Sequence, residues 1–192
     1  IKVLGELKYL PAAEEIRKIL NETQIVEVRK RALIALGKLE YTESAQDIAK
    51  FADDKEKEVR RAVAYSLGQL KDKNTFDTIK KLAADKDEEV SAEASVAIFK
   101  TADPSFEQTV ISNLKRVKEN FLIRSAAAKA ASASCVNSES AVKELQKLAL
   151  DKVIPTDMGP AFDVDQARAS AAWALVDIAK ANAKFAKNAS AV

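Results

Sequence analysis

A period of 31 residues constrains this chain more than any other feature. Glu27-Val28-Arg29 returns as Glu58-Val59-Arg60 and, with the arginine lost, as Glu89-Val90-Ser91. Each triplet leads into a similar apolar run: Ala32, Leu36, Gly37 and Leu39 in one copy, Val63, Leu67, Gly68 and Leu70 in the next. Self-similarity at such a spacing marks a stacked array of one supersecondary unit, because one unit alone cannot bury its apolar face.

Inside each copy the apolar residues fall at helical spacing. First helices align through Ile16, Ile48, Ile79, Val110 and Leu145, with Ile19, Phe51, Leu82 and Leu148 three residues on. Second helices are expected to start at Val28, Val59, Val90, Ile123 and Ala167, with spacings of 31, 31, 33 and 44 residues. Polar turns such as Asp53-Asp54-Lys55 and Asp85-Lys86-Asp87 put carboxylates where helix N-termini need them. Only four glycines and four prolines interrupt a chain that is 47% hydrophobic, which favours helix nearly throughout.

The expected fold is therefore all-α: a right-handed α-α superhelix of about five helix pairs with a partial N-terminal unit. It reads as one array, with a partial unit at 1–8, units near 9–40, 41–71, 72–102, 103–136 and 137–181, and a tail at 182–192. Val3-Leu4-Gly5 and Leu7 align with Ala35-Leu36-Gly37 and Leu39. Residues 1–8 thus read as the end of a second helix, and the chain as a piece of a longer array or one with a preceding segment removed.

The run from Asp53 to Gly68, an acidic turn followed by Glu-Val-Arg-x-x-Ala/Val-x-x-x-Leu-Gly, resembles HEAT repeats. The nearest subtype is the short bacterial kind named after phycobilisome lyases. The resemblance spans almost the whole chain, is looser at Ile123-Arg124-Ser125-Ala126, and returns at Gln166-Ala167-Arg168-Ala169. It implies an α-solenoid whose second helices line a concave side. It implies little about activity, since such folds host scaffolds, transport receptors, chromophore-lyase subunits and a few DNA-repair glycosylases.

Two readings are open for Arg29, Arg60, Arg124 and Arg168: a ladder for phosphate, or pairing with the acidic turn of a neighbouring unit. The second is expected, because those turns supply the carboxylates. Gly37 and Gly68 sit alone inside helices and are expected to let two backbones approach. With the motif valine counted as zero, positions 0, 4, 8 and 11 form the core stripe. Positions 2, 6 and 10 lie opposite. They read Lys30, Arg61, Ala92, Ser125 and Ala169; then Ile34, Tyr65, Val96, Lys129 and Trp173; then Lys38, Gln69, Lys100, Ala133 and Asp177. Five cations and one anion occupy these fifteen positions.

Apolar and aromatic residues at position 6 beside cations are what a binding groove presents. The candidate binding residues are Lys30, Ile34, Arg61, Tyr65, Val96, Lys100, Lys129 and Trp173. The competing reading is that position 6 simply packs against the adjacent second helix. The stretch from Asp151 to Asp165 breaks the period, and its two prolines and one glycine argue for a long loop. Ile154, Met158 and Phe162 in it either extend the binding surface or cover the last core. Asp157, Asp163 and Asp165 lack the spacing and closing glutamate of a calcium loop.

Histidine is absent and Cys135 is the only cysteine. The commonest general base and metal ligand is thereby missing, and neither an intrachain disulfide nor a cysteine zinc site can form. No catalytic residue, metal or cofactor is expected. Thirty-one basic and 29 acidic side chains nearly cancel, so net charge makes no case for nucleic acid or membrane. No apolar run approaches a membrane span. The compartment stays open between cytoplasm and a mature periplasmic domain.

The leading expectation is a non-catalytic scaffold that binds a protein segment, acidic with an apolar anchor, on the face lined by second helices. The alternatives are a lyase-subunit-like or glycosylase-like enzyme using Trp173 and Asp177, a nucleic-acid-binding module, or a structural stretch of a larger solenoid.

Overall fold

The computed structural model describes residues 1–116, 121–150 and 161–186, without the side chains of 161–164. Among the described residues every regular element is helical. The chain divides into two compact units, Ile1–Ala97 and Ile98–Val192.

The first unit holds α1 (Lys2–Glu6), α2 (Ala13–Glu22), α3 (Val26–Lys38), α4 (Ala45–Ala49, continued by a 3-10 segment Lys50–Asp53), α5 (Lys57–Leu70) and α6 (Phe76–Ala83). It also takes most of α7 (Glu88–Thr101). The second holds α8 (Glu107–Leu114), α9 (Phe121–Ser134), α10 (Glu139–Ala149) and α11 (Ala161–Ala181). Second helices α3, α5, α7 and α9 each start two residues before the expected position. α11 departs from expectation: it begins at Ala161 rather than Ala167, so Phe162 lies in a helix and not in a loop. The prolines that argue against helix, Pro155 and Pro160, both precede it, and Pro160 immediately before a helix is compatible with its start. Ile154 and Met158 lie outside the described residues.

Short 3-10 segments lead into the first helices, and side chains hold several of them. Asp72 accepts from the Asn74 backbone N–H at 2.9 Å, and Asp103 accepts from that of Ser105 at 2.9 Å. At α10 the Ser138 hydroxyl caps the Ala141 N–H at 3.1 Å. These contacts satisfy donors that a helix start leaves without an intrahelical partner.

The core stripe forms as its spacing predicts. Leu36, Val59, Val63, Leu67, Val90, Ile98, Ile123 and Ile178 are fully buried, as are Ile48, Ile79 and Leu145 on the first helices. Each such side chain contributes about 1.5–3 kcal/mol relative to exposure. Phe185, in a 3-10 segment after α11, is buried beside this core.

In the first unit, second helices approach one another through a glycine register. A Cβ on Gly37 would lie 2.8 Å from the Ser66 Cα, and one on Gly68 would lie 2.6 Å from the Ala97 Cβ. Gly5 faces Ala35 in the same way, at 3.0 Å from its Cα. The Ser66 hydroxyl lies 2.8 Å from the carbonyls of both Leu33 and Ala62, tying α5 to α3. In the second unit α9 packs on α11 through alanines and serines, and Ser125 Oγ meets Ser170 Oγ at 2.8 Å.

Two of the motif arginines, Arg29 and Arg60, tie successive helix pairs of the first unit together. Arg29 reaches Asp54 at 2.7 Å, and Arg60 holds Asp85 with Nε at 2.7 Å and Nη2 at 2.9 Å. Each tie crosses 25 residues, and each arginine also donates to a carbonyl of its own turn, Thr23 or Asp54. Asp54 and Asp85 in turn accept from the backbone N–H groups of Glu56 and Asp87. Arg168 differs: it bonds the Ala149 carbonyl at 3.3 Å and Asp165 at 3.4 Å, both within its own helix pair.

Candidate functional site

Helix geometry decides which side chains share the face opposite the core. Positions 2, 6 and 10 of a second helix fall within about 80° of one another. Ala92 and Ser125, expected there from their column, are instead buried. Both are small, and the adjacent second helix covers Ser125 through Ser170. The larger residues of the columns stay accessible: Ile34, Tyr65 and Val96 are half-buried, and Trp173 is 67% exposed.

In the first unit four candidates surround one pocket. A cavity of about 260 Å³ between α3 and α5 is lined by Lys30, Ile34, Arg61 and Tyr65, together with Glu58, Ala62 and Glu93. Ile34 and Tyr65 at position 6 and Ala62 at position 3 form its apolar floor. A second cavity of about 300 Å³ lies against α1 and α3, lined among others by Lys2, Glu6, Arg31 and Lys38, and it shares Ile34 with the first. The groove therefore runs across three successive second helices. Val96 stands on α7 of the same unit and lines neither cavity. Lys100, Lys129 and Trp173 belong to the second unit, where Lys129 and Trp173 are exposed on α9 and α11.

Lys30, Arg31, Lys38 and Arg61 of the groove are engaged with nearby carboxylates. Lys30 pairs with Glu27 at 2.6 Å, and Arg31 pairs with the same carboxylate at 2.7 Å. These hydrogen bonds, Lys30 first and Arg31 second, hold the Glu27 carboxyl below its usual range against the opposing pull of desolvation. Lys38 reaches back to Glu6, and the hydrogen bond they share raises the lysine and lowers the acid. Arg61 lies 3.5 Å from Glu89 and 3.6 Å from Glu93. Three of the five cations counted in the columns, Lys30, Lys38 and Arg61, are thus faced by carboxylates.

Sequence reasoning missed Glu58, Ala62 and Glu93. Position −1, which holds Glu27, Glu58 and Glu89, is seven residues from position 6 and lies within about 20° of it on a helix. The signal was present in the repeated triplet itself, whose glutamate also suits the positive end of a helix dipole.

Two other features have structural explanations. A cavity of about 530 Å³ at the turn edge is lined by Asp54, Lys55, Arg60, Lys81, Asp85 and neighbours, and its ionic groups include the Arg60–Asp85 tie and the Lys81–Asp53 pair. Cys135 is buried, and desolvation, with Glu107 adding to it, pushes its thiol up to about 12. A thiol so placed is not a nucleophile near neutrality.

Residues 13–98 and, overlapping them, 45–115 match the family of HEAT repeats. No curated protein matches the chain. Among the described residues no helix is long and apolar enough to cross a membrane.

Proposed function

Because the chain belongs to the HEAT-repeat family, we propose that it is a non-catalytic interaction module that binds a segment of another protein along its second helices. The observation that carries this reading is the position-6 column. Ile34 and Tyr65 are neither absorbed into the core nor isolated on a polar surface; they share the floor of one pocket with charged walls. An apolar floor with a charged rim is the anatomy of a small protein-binding site. In the second unit Trp173, exposed on α11, supplies the same kind of amphipathic ring. Lys30, Lys38 and Arg61 already face carboxylates, so these three cations of the first unit favour an acidic partner less than their number suggests.

Selection of peptides from a random displayed library on the immobilised chain tests the reading. Selected peptides are re-measured on Tyr65→Ala and Trp173→Ala, whose side chains lie outside the core. At least one of the two is expected to weaken binding about tenfold or more while leaving the melting temperature within a few degrees. Leu67→Ala, at a fully buried position, costs about 2–5 kcal/mol and marks what core damage looks like. If Tyr65→Ala and Trp173→Ala both destabilise like Leu67→Ala, or if every selected peptide ignores both changes, the groove is packing and the proposal fails.

A further inference from the structure

We propose that the pocket between α3 and α5 takes a lysine or arginine side chain of the bound segment. Its stem would lie on Ile34, Ala62 and Tyr65, and its cationic head at Glu58. The inference rests on the binding reading above and names the chemistry that the pocket selects.

Size comes first. Pockets for whole small molecules run from about 300 to 1,000 Å³, and this one holds about 260 Å³. That suits one long side chain rather than a free ligand. Its floor is apolar and includes a tyrosine ring, which accommodates a methylene stem and attracts a cation over its face.

Charge then decides the sign of the head group. Around the pocket stand the cations Lys30, Arg31 and Arg61 and the carboxylates Glu27, Glu58, Glu89 and Glu93. Glu27 is held by Lys30 and Arg31, while Arg61 is shared between Glu89 and Glu93 at 3.5 and 3.6 Å. Lys57 lies 3.8 Å from Glu89 but closer to Asp87, at 3.4 Å, so that pair leaves the balance unchanged. The pocket's own lining holds two cations, Lys30 and Arg61, and two carboxylates, Glu58 and Glu93, and Lys30, Arg61 and Glu93 are already paired. Glu58, on the pocket wall, is the one of them that forms no ion pair among the described residues. An incoming carboxylate would meet this charge and would have to break an existing pair to gain a partner. An incoming ammonium or guanidinium completes the set.

The peptides selected above supply the probes. Tyr65-dependent peptides are expected to carry Lys or Arg, and Glu58→Gln is expected to weaken them about tenfold. Replacing that Lys by norleucine, or that Arg by citrulline, should cost a similar factor and remove the sensitivity to Glu58→Gln. Tyr65-dependent peptides that lack a basic residue, or that are indifferent to Glu58→Gln, overturn this assignment and leave the groove reading intact. Absence of any Tyr65-dependent peptide overturns the assignment outright, and if Trp173→Ala is also without effect the groove reading falls with it. Glu58 is exposed, so its replacement by glutamine leaves the fold in place, which a circular-dichroism melt of the variant verifies.

Discussion

Lys8, Glu40, Lys71 and Ala102 all have φ between 50° and 55°, at intervals of 32, 31 and 31 residues. Each follows the end of a second helix, where a left-handed residue turns the chain toward the next first helix. A side chain in that region costs about 1–2 kcal/mol, and glycine is the residue that escapes the cost. None of the four is glycine, so the helix ends carry no glycine stop signal in the sequence. Lys71 offers a clean test, because its backbone N–H bonds the Leu67 carbonyl whatever its side chain, and that side chain is exposed. Lys71→Gly is expected to stabilise the protein by about 0.5–1 kcal/mol, the relief of strain outweighing the greater freedom of the unfolded chain. A urea midpoint that stays put or falls in the variant would contradict the strain argument.

Between elements the same repeat produces two kinds of contact, and they were not equally legible. The arginine–aspartate ties of α3 and α5 follow from residue types alone, since Arg29 and Arg60 have the acidic turns as their natural partners. How close the second helices come does not follow so simply, because it depends on which residue faces each glycine. Gly37 and Gly68 sit in the sequence as isolated helix glycines, and intrinsic propensity alone makes Ala better there by about 1 kcal/mol. The structure reverses that sign. A methyl on Gly68 would press on both Cβ and Cα of Ala97 at 2.6 and 2.8 Å, where no flexible side-chain end can yield. Gly68→Ala is therefore expected to destabilise by about 1–3 kcal/mol, as overpacking does. Gly5→Ala, whose nearest contacts are 3.0 and 3.1 Å and whose helix has five residues, should cost less. Equal unfolding free energies for the two variants would show that the register does not set the spacing. The same geometry explains the partial reading of the candidate site. Columns 2, 6 and 10 locate Lys30, Ile34, Arg61 and Tyr65, but the glutamates that neutralise them enter from positions −1 and 3. Those positions read in the sequence as motif and as cap.

Across the whole molecule the absence of histidine shapes the response to pH. No side chain with an ordinary pKa titrates between about 5 and 8, so stability is expected to be flat there. On the acid side the relevant groups are ion-paired carboxylates, Asp85 and Asp47 among them. Burial raises Asp85, but the hydrogen bond from Arg60 and the backbone N–H of Asp87 outweigh it and leave its carboxyl below the ordinary range. Asp47 is likewise lowered, by Lys50 first and by Arg17 against desolvation. A carboxyl that is more acidic folded than unfolded adds stability above its unfolded value, and that stability fades as pH falls through the folded one. The acid limb should accordingly begin near pH 4. On the alkaline side Cys135 works in the opposite sense. Its thiol is pushed from 9.0 to about 12 by burial, so its contribution is complete below pH 9 and is lost as pH rises toward 12. One proton released only on unfolding gives a slope of about 1.4 kcal/mol per pH unit in that window. Urea midpoints measured from pH 3 to 11 should trace a plateau with two falling limbs. Cys135→Ala should lower the plateau, because it leaves a small cavity, and flatten the limb above pH 9 by about that slope. A limb equally steep in the variant would place the alkaline loss on the ion-paired lysines and Tyr41 instead, whose pKa values are also raised.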